Sequence, residues 1–187
     1  MSRTTRTVVA GGVMAVLLMA AGQVDATDRQ PPATLDVPVT PADPRVRTED
    51  PVLAALIRDS TDRSTSFRRM VEAIQATDGV VYIERGRCNF YVRTCLAFGI
   101  AVVGPNRMLR VIVDKRKAGF ETAASVAHEL QHALEVLEHR SVTTPAAVRG
   151  LFERIGTWDG NSFETSAAVK VGLDVRAELQ KQSAGCR

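Results

Sequence analysis

The sequence predicts an α+β domain in which a short antiparallel sheet is followed by a long helix and by a second helix packed against it. Three observations lead there. Residues 50–76 carry apolar side chains at helical spacing. Residues 80–114 switch to β-branched and aromatic runs broken by glycine-containing turns. From residue 120 the helical period returns, and no proline or glycine interrupts it before residue 140. The chain has 187 residues, of which 45% are hydrophobic and 24% charged, so it fits one globular domain with appendages and excludes a disordered or collagen-like protein.

The appendage comes first. Arg3 and Arg6 precede an apolar run from Val8 to Gly22, and Val24-Asp25-Ala26 places small residues where a signal peptidase reads them. Residues 1–26 are therefore expected to be a secretory signal, and the mature protein to be secreted or periplasmic. The apolar run of about 15 residues is short of the roughly 20 that span a bilayer, so no stable membrane insertion is expected after cleavage. Residues 27–50 hold Pro31, Pro32, Pro38, Pro41 and Pro44 with few large apolar side chains, and read as an extended linker or an inhibitory pro-segment. The folded domain is then 51–187.

Within it, Leu53, Leu56 and Ile57 mark a first helix, and Phe67, Met70, Val71 and Ile74 a second that stops at Asp78-Gly79. Strands are expected at 80–84, at 90–92 running into 96–103, and at 108–114, with turns at Gly86 and Gly104-Pro105-Asn106. Short connections between consecutive strands imply an antiparallel meander. Helices follow at 120–139, 145–155 and 162–182.

Loss of Arg3, Arg6 and Asp25 with the signal takes the 24 basic and 21 acidic residues to 22 and 20. A net charge of +2 offers no argument for a nucleic-acid partner. Eight Lys or Arg against two acids fall within 80–118, which reads as a solvated basic face ahead of a surface for acidic ligands. Cys88 and Cys95 are spaced to close a disulfide across a hairpin in an oxidising compartment, and Cys186 is left over as a free thiol.

The chemistry centres on His128-Glu129-Leu130-Gln131-His132, an H-E-x-x-H pattern inside the long helix that uses two of the chain's three histidines. A separation of four residues puts both imidazoles on one helix face, where they can share an ion. They point away from the apolar stripe of Ala123, Ala127, Leu130, Leu134 and Leu137. Zn2+ is the metal that suits imidazole here, and Glu129 is placed to act as a base on a metal-activated water. A plain solvated helix face is the alternative.

A third ligand is needed for hydrolysis. His139 lies seven residues past His132, roughly 10 Å along an unbroken helix, too far to reach the same ion. Glu135, one turn beyond His132, cannot converge tetrahedrally with the other two from one rigid helix and suits a supporting role. Glu164 can come back beside the metal helix after two chain reversals, although Asn161 with Glu164 also forms a capping-box pattern. Asp159 and Asp174 are fallbacks.

In His128, Glu129, His132 and, more loosely, Glu164, the sequence resembles the zincin metallopeptidases, and specifically the gluzincin-type branch in which a Glu from a later helix completes the site. The resemblance spans roughly residues 80–182. It implies a zincin-like fold, zinc held by His128, His132 and Glu164, Glu129 as general base, and an edge strand that pairs with an extended peptide or protein substrate. Two departures stand out. Glu135 and Glu138 occupy the places of the Gly and third His of the metzincin pattern, and Ala168 stands where a Glu-x-x-x-Asp pairing would have its Asp. Tyr82, Tyr91, Arg140 and Arg154 are the candidates to stabilise an oxyanion, and the sequence does not choose among them. The expected function is an exported zinc-dependent peptidase. The alternative is an exported zinc-binding or catalytically silent module.

Overall fold

The computed structural model describes residues 43–88, 92–114, 119–158 and 162–184. The expected signal, all but the end of the Pro-rich stretch, Tyr91, Asp159, Asn161 and Cys186 lie outside those residues.

Two helices open the domain. Helix α1 (Pro51–Arg63) starts where the Asp50 carboxylate accepts the N–H groups of Val52 and Leu53, with proline in the first turn, where a missing N–H costs nothing. Helix α2 (Thr65–Gln75) is capped by Ser64 through the Phe67 N–H, and buries Phe67, Met70 and Ile74, as the periodicity predicts. After the strands come α3 (Phe120–Glu138) and α4 (Pro145–Ile155), both within a residue of their expected spans.

The sheet is mixed, which corrects the antiparallel meander. Strands β1 (Val46–Arg47), β2 (Gly79–Gly86), β3 (Thr94–Val103) and β4 (Asn106–Asp114) lie in the order β1-β2-β4-β3. Strand β2 pairs in parallel with both β1 and β4, and only β3–β4 is antiparallel. The reason lies in the connection after β2. Neighbouring strands are roughly 4.8 Å apart, so the loop leaving Gly86 spans the width of one intervening strand with ease. Strand β4 then returns through a tight turn at Gly104, whose φ of 57° suits a residue without Cβ, and takes the vacant central place. Its alternating Leu109, Val111 and Val113 are at most 1% exposed, as a central strand requires.

The Cys88–Cys95 bridge forms, with Cα atoms 5.9 Å apart. It closes the crossover loop between β2 and the edge strand β3; it does not link paired strands of a hairpin. Strand β1 falls in the stretch expected to be linker, where Val46 pairs with Val81.

Helix α3 is enclosed on almost every side. Val126, Ala127, Leu130, Ala133 and Val136 are fully buried, and Glu129, His132 and Glu135 are each under 10% exposed. The expected apolar stripe is thus only part of the buried surface. Helix α5 (Ser166–Ala184) lies along α3, and Gly172 lets the two approach: a Cβ there would stand 3.4 Å from His128 Cβ and 3.4 Å from the Ala124 carbonyl oxygen.

Of the basic stretch, Arg87, Arg93 and Arg110 are exposed, and Arg107 is the one that is buried among the described residues. Arg107 is 2% exposed, takes Asp78 through Nε and Nη2, and donates to the carbonyls of Val136, Leu137, His139 and Val142 around the C-terminal end of α3. A cation suits that end of a helix dipole. Arg85 pairs with Asp50, and Arg110 with Glu84.

Candidate metal centre

Adjacent turns of α3 bring His128 and His132 together, with Nε2 atoms 3.1 Å apart and rings edge-on at 4.8 Å between centroids. Glu164 arrives from a different element than expected. The chain after α4 forms a small antiparallel hairpin, β5 (Thr157–Trp158) with β6 (Phe163–Glu164), and α5 begins only at Ser166. Thr165 caps that helix, its hydroxyl accepting the Ala168 N–H, so Glu164 is not a capping residue.

Freed from that role, Glu164 points at the histidines. Its Oε2 lies 3.0 Å from His128 Nε2, and ligand atoms of His128, His132 and Glu164 all fall within 4.8 Å of one another. The three form a cluster that can hold a metal ion. Donor atoms at 2.0–2.1 Å from a tetrahedral zinc stand roughly 3.3 Å apart, the order of the separations seen here. Glu164 Oε2 is buried and, with His128 Nε2 3.0 Å away, has no assigned hydrogen-bond donor. A buried carboxylate oxygen in that state is stabilised when a cation meets it.

The remaining atoms of these ligands are tied down. Nδ1 of His132 donates to Glu135 Oε2 at 3.0 Å, which fixes the tautomer and leaves Nε2 its lone pair. Glu135 Oε1 in turn accepts the Thr165 hydroxyl at 2.6 Å. Glu164 Oε1 accepts from Ser162 at 3.2 Å. The His128 imidazole beside it draws the Glu164 carboxyl below its ordinary range. For His128 itself burial opposes protonation, but the Glu164 contact and the charges of Glu129, Glu164 and Glu135 outweigh it and raise the pKa.

Glu129 lies between the helix and the sheet edge. Its Oε2 accepts the Leu96 N–H at 2.7 Å and its Oε1 the Thr94 hydroxyl at 3.2 Å. Burial pushes its carboxyl pKa up, against the nearby imidazoles and these two donors. It borders two cavities. One, of about 320 Å³, runs along β3 past His132 and Glu164; the other, of about 560 Å³, opens beside His128 and Gly172.

Other expected participants are elsewhere. His139 ends α3, where its carbonyl accepts from Arg107, and Asp174 pairs with Lys170 on the surface. Tyr82, Arg140 and Arg154 line neither cavity, and Arg154 donates to the Gly150 carbonyl of its own helix. Thr94, Leu96 and Thr165 were not singled out by sequence. Thr165 had a signal, a threonine just before an apolar-periodic helix. Thr94 and Leu96 had none, because their roles come from a contact across more than 30 residues. Compared with known proteins, the chain matches no family model, no curated protein and no solved structure.

Proposed function

We propose that this chain is an exported zinc-dependent peptidase with a zincin-like core, in which His128, His132 and Glu164 hold the metal and Glu129 is the general base. The observation that carries this reading is the meeting of the three ligands at one point beside a buried carboxylate. Zinc held by these three residues would supply a Lewis acid able to activate water near neutral pH. Glu129, beside them, would serve as the proton acceptor, and its raised pKa moves it toward the range where a carboxylate exchanges protons efficiently. Leu96 and Thr94 hold its two oxygens in place. Strand β3 sits at the sheet edge, where an extended peptide or protein substrate can add as a further strand. Glu164 on a strand, where the gluzincin pattern has a helix, is this chain's departure from that branch.

A second reading, a zinc-binding but catalytically silent module, is favoured by one observation: both Glu129 oxygens already receive hydrogen bonds from β3. One experiment separates the two. The purified protein is expected to carry about one zinc, lost in His128→Ala and His132→Ala, and to cleave an unfolded protein in a chelator-sensitive way. Glu129→Gln is expected to keep the zinc and lower hydrolysis by roughly two to four orders of magnitude. Zinc without any hydrolysis in the wild type establishes the silent module, and no zinc in either form overturns both readings.

A further inference from the structure

The cavity beside His132 has a wall the chemistry above does not use. Phe152 stands edge-on to His132 at 5.2 Å, Phe98 lies 6.1 Å from Phe152 and 6.4 Å from Phe163, and Phe163 packs on Trp158 at 4.7 Å. A continuous line of rings thus leads from a metal ligand to the surface. Its inner member, Phe152, is 2% exposed, while Phe98 and Trp158 are 37% and 54% exposed. Phe98 lies where the β3–β4 register shifts, between Ala97 and Ala101, and its ring faces Phe152 of α4 and Phe163 of the β5–β6 hairpin.

We propose that this aromatic wall is the subsite for one large, uncharged apolar side chain of the substrate, with Phe98 as its specificity-determining residue. The inference rests on the peptidase reading and adds the substrate class: segments carrying Phe, Leu or Met beside the bond attacked. Phe98, Phe152, Phe163 and Leu96 offer no hydrogen-bond donor or acceptor from their side chains. A polar side chain entering there loses its water and gains nothing in return. An apolar side chain gains contact area on rings that are otherwise left partly in water.

The test uses the full-length Glu129→Gln protein loaded with zinc, so that peptides bind without being cut. Short peptides identical except for one central residue, Phe, Leu, Ser or Asp, are titrated by calorimetry. The Phe and Leu peptides are expected to bind about 10-fold or more tighter than the Ser and Asp peptides. In Phe98→Ala on the same background that gap shrinks toward unity, and in Phe98→Leu most of it returns, with zinc content unchanged in both. Equal affinity for all peptides, or a gap that Phe98→Ala leaves intact, overturns the subsite. Cleavage-site mapping with the wild type separates the two levels. Hydrolysis with no apolar enrichment overturns the subsite and leaves the peptidase standing. Apolar-selective binding without hydrolysis keeps the subsite and overturns the peptidase.

Discussion

Nδ1 of His132 donates to Glu135 at 3.0 Å, and the same carboxylate accepts the hydroxyl of Thr165, the residue that caps α5. The orientation of a candidate ligand on α3 is therefore set by the start of a helix 30 residues later. Glu135→Ala is expected to weaken zinc binding by about 10- to 100-fold, the usual effect of removing a carboxylate behind a ligating histidine. Thr165→Val is expected to act in the same direction more weakly and to cost about 1 kcal/mol through the lost cap. Competition with a chromophoric chelator measures the first, and thermal unfolding the second.

Glu164 and the chain's single tryptophan share the β5–β6 hairpin, where Trp158 pairs with Phe163. Chelation of the metal is expected to shift the emission of Trp158, because it releases the residue next to its stacking partner. Glu164→Gln is expected to bind zinc more weakly and to show the shifted emission at zinc levels that saturate the wild type. A cap substitution would instead lower stability by about 1 kcal/mol and leave zinc untouched.

Gly172 stands against His128 with room for one methyl group. Gly172→Ala is expected to stabilise α5 by up to about 1 kcal/mol, since alanine favours the helix and its Cβ sits at van der Waals distance. Gly172→Leu must displace the His128 ring, and is expected to lower zinc affinity while far-UV circular dichroism stays close to wild type.

Arg107 holds the Asp78 carboxyl below its ordinary pKa. A depressed folded-state value means that the pair contributes fully above about pH 4 and is lost as pH falls through the folded pKa. Asp78→Asn is expected to destabilise by roughly 1–3 kcal/mol at neutral pH, between the costs of breaking exposed and buried pairs. The gap to wild type should narrow on acidification below pH 4, where Asp78 becomes neutral as well. Urea unfolding across that range measures it.

Local spacing sufficed for part of this protein. Four-residue separation on an uninterrupted helix pairs His128 with His132 whatever surrounds them, and the same short-range logic marks five helices and three of the strands within a few residues. The Cys88–Cys95 pairing was legible too, since a short loop keeps the thiols close. Strand order was not. Both an antiparallel meander and a crossover satisfy the alternating pattern of β2, β3 and β4, and it is the backbone pairing of β4 with β2 on one side and β3 on the other that puts it between them. Glu164 had two local readings, cap or ligand, and the hairpin that pairs Thr157 with Glu164 removes the first and leaves Glu164 in a cluster that can hold a metal ion. The supports of Glu129 and His132, namely Leu96, Thr94 and Thr165, exist only where distant segments meet. Periodicity reports which face of an element is buried, whereas register and neighbour depend on the summed burial of the whole core, and no window of sequence contains that sum.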